Sequence, residues 1–531
     1  MPNSSSAPSS TRATSPTSVL ASQHGLIGLA GTSIMAIGAL GVGYLPQRAA
    51  LSTWPVIEVL RTTTAGAIFS KIAVAIGAIL LLRAWLLIGG DVRAGRITGT
   101  KRLNKMFMVW AAPLLLVPPL FSQDVYSYVA QGNLLRLGLD PYTMAASSVP
   151  GPFLEAVSPW WLDTPAPYGP LFLLIAKICV IITGEHIYLA SLLLRASALV
   201  GVWLIARYLP VVAQRCGVNG TTAVWVGLLN PLVFMHFVSG SHNDALMIGL
   251  LLAGLAMGLN NRPYLGIVLI AMAGTIKIPA LVGLGFIGLI WAGKDSALVA
   301  RIRCWAIAAA ITVGVFLFTN AIAGLDFGWI HALGTPGVVR SWISPVTSVS
   351  VATGWLISAA GFGDYTEVIL AVLRGIATLA VLAYAAKLLI KPNKQTAIRS
   401  AGLVLLLLAV FGPVIQPWYL LWGLLIMAAA GFTRKELPYV VAATAGLVIH
   451  GLTQSSATSA DVLQVADPVS AILAIGAAVL GIMSSRTTRT ELLEGKDRWA
   501  NAPHATSIPE QSDHSSAEAT VAGKIAPRER P

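Results

Sequence analysis

The sequence predicts an all-α polytopic membrane protein, a bundle of about fourteen transmembrane helices with a long extracytoplasmic loop carrying surface or re-entrant helices. Three observations carry this expectation. The 531 residues are 56% hydrophobic and only 11% charged, where a soluble domain carries about 25% charge. Apolar runs of membrane-spanning length recur from residue 26 to residue 483, and the alternating pattern of an outer-membrane barrel is absent. The Lys and Arg residues cluster in short loops between those runs, as cytoplasmic loops do. That placement also argues against nucleic acid as the partner of the +13 net charge.

The elements follow in order. Residues 1–24 are rich in Ser, Thr and Pro without an apolar core, so they read as a disordered cytoplasmic tail rather than a signal peptide. Basic clusters then orient the chain: Arg93, Arg96, Lys101, Arg102 and Lys105; Arg207 and Arg215; Lys294, Arg301 and Arg303; Lys387, Lys391, Lys394 and Arg399; Arg434 and Lys435; Arg486 and Arg489. With all of these inside, the spans fall roughly at 26–45, 66–89, 106–120, 187–208, 221–238, 244–259, 264–277, 279–293, 304–324, 366–390, 398–413, 417–432, 437–452 and 469–484. The apolar stretches 168–184 and 346–361 would each invert everything after them. They are therefore laid along the outer surface or as re-entrant helices, which are tolerated where they line a protein cavity. The transmembrane domain is 25–485, with extracytoplasmic loops at 121–186 and 325–365, and 486–531 is a second disordered cytoplasmic tail. The protein is expected in the plasma membrane, multi-pass, with both termini cytoplasmic.

This topology sorts the acids. Asp124, Asp140, Glu155, Asp163, Glu185, Asp244, Asp326, Asp364 and Glu367 come out on the outer face, while only Asp91, Asp295 and Glu436 lie between spans inside. Long ordered loops are uncommon and usually functional, so the active site is expected to be extracytoplasmic. Cys179, Cys216 and Cys304 are scattered singly, which argues against a disulfide or a cysteine metal site.

Four places can carry chemistry. Asp124 opens the outer loop, and an acid at a membrane boundary is costly and usually functional. Tyr126, Tyr128, Gln131 and Asn133 follow it, a mixture suited to a sugar, although aromatics also belong to membrane interfaces. Ser239-Gly240-Ser241-His242-Asn243-Asp244 stands between two spans. It reads either as a helix cap or as donors presented to an anion or a sugar. Lys277 has no acid near it in sequence, so it either snorkels or holds a phosphate; Arg195 invites the same two readings. Gly412-Pro413-Val414-Ile415-Gln416-Pro417-Trp418-Tyr419 is either an interfacial turn or a lid over a lipid-linked substrate. Walker, dinucleotide, zinc-protease and nucleophile-elbow motifs are absent. No internal repeat stands out, which weakens a secondary-transporter reading.

At these residues the chain resembles the GT-C superfamily of polyprenyl-phosphate-dependent glycosyltransferases. The features are Ser122-Gln123-Asp124-Val125-Tyr126 in the first large outer loop, Tyr168-Gly169-Pro170-Leu171 opening a surface helix, and Arg195 in the next span. Closer in, Asp124-Val125-Tyr126-Ser127-Tyr128, Gly132-Asn133, the 239–244 segment, Lys277 and Gln416-Pro417-Trp418-Tyr419 resemble the actinobacterial α-(1→6)-mannopyranosyltransferases of the MptA/MptB family. The resemblance covers roughly residues 26–485 and implies a GT-C-like bundle. It implies an inverting transferase that moves mannose from polyprenyl-phosphate mannose to a lipid-anchored α-(1→6)-mannan of lipomannan and lipoarabinomannan. Inversion in one displacement needs one base on the acceptor hydroxyl, and Asp124 is the candidate. Lys277, Arg195 and His242 are candidates for the donor phosphate. Tyr126, Tyr128, Asn243, Asp244, Tyr168, Gln416, Trp418 and Tyr419 are candidates for the sugar or acceptor. Many members carry an acidic pair in this loop; here Gln123 precedes Asp124. No cofactor is expected, and a divalent metal is left open. The alternatives are a GT-C transferase using another polyprenyl-phosphate sugar, and a transporter or flippase for a lipid-linked sugar.

Overall fold

The computed structural model describes residues 23–452 apart from 294, 339–342, 393–396, 413 and 434. The expected span at 469–484, the tail at 486–531 and nearly all of the tail at 1–24 lie outside the described residues. Among the described residues every regular element is helical, because runs of Leu, Ala, Gly and Ile satisfy their own backbone only as helices in an apolar solvent.

The N-terminal half begins with α1 (Gln23–Val42), the short α2 (Pro55–Thr62) and α3 (Thr64–Arg93). His24, expected in the tail, instead sits in α1, and its Nδ1 meets Asp91 Oδ2 at 2.8 Å. Arg96 pairs with the same carboxylate. The chain continues through α4 (Thr100–Ala111), α5 (Asp124–Arg136), α6 (Pro159–Leu162), α7 (Pro170–Thr183), α8 (Ile187–Arg215) and α9 (Gly220–Val226). A π-helical turn at Val233–Ser239 is bent 107° from α10 (Asp244–Leu259). Next come α11 (Pro263–Gly274), α12 (Val282–Ala292), α13 (Leu298–Ala323), α14 (Trp329–Ala332), α15 (Pro345–Ala359) and α16 (Thr366–Ile390). α17 (Ala397–Phe411), α18 (Leu420–Ala430) and α19 (Leu437–Leu452) complete the described chain.

The all-α polytopic class is seen, and the count of about fourteen spans is not confirmed: α1, α3, α8, α13 and α16 are the 5 described helices long and apolar enough to cross, or up to 6 if the bent pair is one span. The remaining apolar helices run only 10–17 residues, short of the roughly 20 a straight crossing needs. The runs at 106–120 and 221–238 are interrupted for a local reason. Pro113 follows the end of α4 at Ala111, Pro118 and Pro119 keep the rest of that run from continuing as helix, and Asn230-Pro231 breaks the second run. Apolar composition survives those breaks, so a hydropathy window reads through them. The two stretches set aside from spanning do form helices, α7 and α15.

Close helix packing sets up the site. Where α8 crosses α10, a Cβ on Gly249 would come within 2.5 Å of the Gly201 carbonyl oxygen, so the backbones touch as small-residue membrane interfaces do. Arg195, on α8, is 1% exposed. Its guanidinium donates to the carbonyls of Leu114, Leu115, Val117 and Ser239 and to Ser241 Oγ, at 2.7–3.0 Å. These bonds satisfy carbonyls that the broken segments 112–120 and 239–243 leave without helical partners. Arg195 is therefore a clamp on the site's two supporting loops, not a group free for phosphate. Tyr126 is likewise buried, with its hydroxyl donating to the Tyr44 carbonyl at 2.6 Å. It braces α5 and does not face a sugar.

Candidate active site

The site starts from the turn before α5. Phe121 has a φ of 67°, a left-handed conformation costing of order 1–3 kcal/mol for a bulky residue. It redirects the chain after the prolines, and Ser122 Oγ accepts from the Asp124 N–H at 3.1 Å. Asp124 thus becomes the first residue of α5, where the helix dipole favours a carboxylate. Tyr128 and Gln131 lie one and two turns along the same face. The Tyr128 hydroxyl and Gln131 Oε1 are buried, and Gln131 Oε1 has no hydrogen-bond partner among the described residues.

Two side chains from distant segments meet the Asp124 carboxylate. The Trp161 indole N–H, from α6 in the 121–186 loop, donates to Oδ1 at 3.0 Å. His242 Nδ1 stands 3.5 Å from Oδ2. His242 lies in the break before α10, next to Ser241 with its φ of 58°. Its ring stacks on Trp418 with centroids 3.7 Å apart, and His236 packs against both rings. Trp418 comes from the Gln416-Pro417-Trp418-Tyr419 turn, so that segment does cover the 239–244 segment. Gln416 precedes the turn, and its carbonyl accepts from the Tyr419 N–H. Burial pushes the Asp124 carboxyl above the usual carboxylate range, while the Trp161 bond and the Lys277 charge pull the other way.

The second carboxylate is Asp244, fully buried at the start of α10. Lys277 Nζ donates to its Oδ1 at 2.9 Å and Oδ2 at 3.1 Å, and the Trp422 indole donates to Oδ1 at 2.6 Å. The ammonium also lies over three rings, Tyr168, Tyr419 and Trp422, at 5.7, 4.8 and 5.5 Å. Gly169 allows this: a Cβ there would meet the Thr275 carbonyl oxygen at 2.3 Å. The Gly169 N–H instead bonds the Ile276 carbonyl, which docks the start of α7, and Tyr168 with it, beside Lys277. Tyr168 also packs edge-on against Tyr128. Asn243 makes no side-chain cap bond to α10; both its polar atoms are buried and without a partner. The capping reading of this segment therefore fails for Asn243.

The fold thus gathers Asp124, His242, Asn243, Asp244, Lys277, Tyr128, Tyr168, Trp418 and Tyr419 into one cluster, and it assigns Arg195 and Tyr126 to support. It adds Trp161, Trp422 and His236. Trp161 had a signal, the Trp160-Trp161 doublet in the long loop expected to carry the site. Trp422 had none, since it sits in an apolar run. Among the described residues no group of three or more His, Cys, Asp and Glu is placed to hold a metal ion. Chemically, the cluster offers a largely buried carboxylate aimed by an indole, a caged cation, and amide and ring nitrogen groups with no hydrogen-bond partner among the described residues. Buried polar groups without partners are rare in native proteins and mark places where a ligand completes the bonding.

Trp161→Phe tests the aiming bond. It keeps an aromatic ring and removes the donor, so the Asp124 carboxyl rises further. The base must be ionised to act, so the acid limb of the kcat/KM profile should move to higher pH. Loss of a bond to a charged acceptor corresponds to about 1.5–3 kcal/mol, or roughly ten- to hundred-fold at low pH. An unmoved acid limb would detach Trp161 from Asp124.

Two family models match the chain. The N-terminal domain of α-(1→6)-mannopyranosyltransferases matches residues 25–293, and the MptB C-terminal domain matches 346–482. Asp124, His242, Asp244 and Lys277 fall in the first match, Trp418 and Trp422 in the second. A probable α-(1→6)-mannopyranosyltransferase of Mycolicibacterium smegmatis is 37% identical, over 76% of this chain and 78% of that protein. α-(1→6)-Mannopyranosyltransferase A of Mycobacterium tuberculosis is 34% identical, over 79% and 82%. α-(1→6)-Mannopyranosyltransferase B of Corynebacterium glutamicum is 31% identical, over 76% and 72%.

Proposed function

The chain belongs to the MptA/MptB family of α-(1→6)-mannopyranosyltransferases, and from that premise we propose a specific reaction for it. It transfers mannose from polyprenyl-phosphate mannose to the α-(1→6)-mannan of lipomannan and lipoarabinomannan, at the outer face of the plasma membrane, with inversion. The acceptor hydroxyl oxygen attacks C1 of the donor mannose as its proton passes to Asp124. The bond from C1 to the phosphate oxygen breaks, and the lipid phosphate leaves with the electron pair. This chemistry needs no nucleotide or organic cofactor, since a phosphate ester already leaves well. Lys277 supplies positive charge where charge develops on that phosphate, and Asp244 holds the ammonium in place. His242 and Asn243 donate to the donor's oxygens, and Tyr128, Tyr168, Trp418 and Tyr419 face the sugars.

One observation carries this reading: a largely buried carboxylate shares its helix face and its surroundings with polar groups that have no hydrogen-bond partner among the described residues. Membranes holding the protein, given radiolabelled polyprenyl-phosphate mannose and a short α-(1→6)-mannoside, should extend the acceptor. Transfer from the arabinose or glucose donor instead would overturn the donor assignment. The membrane face has its own test. Ser148→Cys should react with an impermeant thiol reagent in intact cells above the parent's level, and Thr98→Cys should not. Both positions are exposed. The reverse pattern would put the loop carrying Asp124 inside.

A further inference from the structure

A cavity of about 450 Å³ with charged, amide and hydroxyl groups in its walls opens next to Gln123, the residue before Asp124, within the range of about 300–1,000 Å³ typical of small-ligand sites. Its walls come from three segments: the turn before α2 with Gln47, α2 itself with Glu58 and Thr62, and the outer loop with Gln123 and Glu155. Nothing in the reaction described above uses them. We infer that this cleft is a distal subsite for the acceptor, binding mannosyl units of the growing chain behind the one that reacts. The inference rests on the proposed mannosyl transfer and adds to it where the rest of the polymer lies.

Position comes first. Gln123 lines the cleft and is followed directly by Asp124, so the cleft ends at the helix start that carries the base. The opposite wall, Glu155 and Ala156, leads within the same loop to Trp161, which bonds Asp124 Oδ1. Both segments that close on the carboxylate therefore also border the cleft. A chain leaving the reacting sugar has this polar passage beside it.

Chemistry comes second. The lining is mixed: the carboxylates of Glu58 and Glu155, the amides of Gln47 and Gln123, the hydroxyl-bearing Tyr44, Ser52 and Thr62, and the Arg61 guanidinium. A neutral polyol needs both donors and acceptors without a dominant charge, and these groups supply both. A lipid tail would need apolar walls, and a phosphate would need cations in excess. The site is also braced. Arg61 Nη1 donates to the carbonyls of Leu40 and Gly43, and Arg48 Nε pairs with Glu155 at 2.8 Å. Tyr126, next but one after Asp124, ties α5 to Tyr44 on the cleft wall. Glu58, Gln47 and Thr62 are exposed, so replacing them puts little of the fold at risk.

The test compares acceptor lengths in full-length protein in nanodiscs. Gln47→Ala combined with Glu58→Ala should raise KM for an α-(1→6)-hexamannoside about tenfold, as expected for one or two lost hydrogen bonds. The same variant should change KM for the dimannoside much less. Equal effects on both acceptors, or none on either, would overturn the subsite. A second arm does not need turnover. Thr62→Cys should react with a bulky maleimide above the parent's level, and the hexamannoside alone should slow that reaction while the dimannoside should not. If the parent moves no mannose to either acceptor, the proposed function falls. Protection of Thr62→Cys then still decides the cleft, and its absence would sink the inference.

Discussion

Asp124→Asn is expected to lower turnover by at least about 100-fold, the usual worth of a positioned base, with folding and membrane insertion close to the parent's. The substitution keeps the shape of the side chain and its place at the start of α5. The amide oxygen still accepts from the Trp161 indole, so the rotamer is held. What disappears is the oxygen able to take the acceptor proton. KM for the donor should change little, because the role assigned to Asp124 is on the acceptor hydroxyl. The measurement is single-turnover transfer from polyprenyl-phosphate mannose, with thermal unfolding of the same preparation as the fold control. Turnover within a few-fold of the parent, in protein of normal stability, would remove Asp124 from the chemistry. The pH profile gives an independent handle. Burial raises the carboxyl of Asp124 above its usual range, so the parent should lose activity on the acid side at a higher pH than an exposed aspartate would.

Asp124 was legible in the sequence because an acid at the end of an apolar run is expensive and stands out there. The segment 239–244 and Lys277 were legible for the same reason: polar residues between apolar runs stand out. Their partnerships were not. Lys277 has no acid nearby in sequence, yet Asp244, 33 residues away, holds it with both oxygens. That contact depends on the break before α10 and on Gly169 letting α7 dock against residues 275 and 276. Arg195 shows the converse. As an isolated charge it looks functional, but five acceptors from two broken segments occupy it. No pattern in the sequence counts the carbonyls that a proline leaves unpaired. Helix ends were hidden in the same way, since hydropathy sees apolar composition and not the prolines around which α4 and the next run break.

The pairing of Asp244 with Lys277 gives the second large expectation. Asp244 has no exposed side-chain surface and Lys277 has 12%, so removing either partner leaves a buried charge uncompensated. Such losses cost about 3–5 kcal/mol. Asp244→Asn and Lys277→Met should each lower thermal stability sharply. The double variant should regain most of it, because two neutral side chains of similar size leave no charge to compensate. Trp422 sharpens the asymmetry: its indole donates to Asp244 Oδ1, and the amide oxygen of Asn keeps that bond. Asp244→Asn should therefore be the milder single change. Lys277→Arg should recover part of the stability, since the charge remains but the planar fork fits a three-ring cage differently from a compact ammonium. The double variant then separates structure from chemistry. It should fold, yet transfer mannose poorly and require more donor, because the cation assigned to the leaving phosphate is gone while Asp124 and the acceptor contacts are intact. Single variants as stable as the parent would mean the pair carries no buried charge. A stable double variant with the parent's donor KM and turnover would leave Lys277 only its structural bond to Asp244.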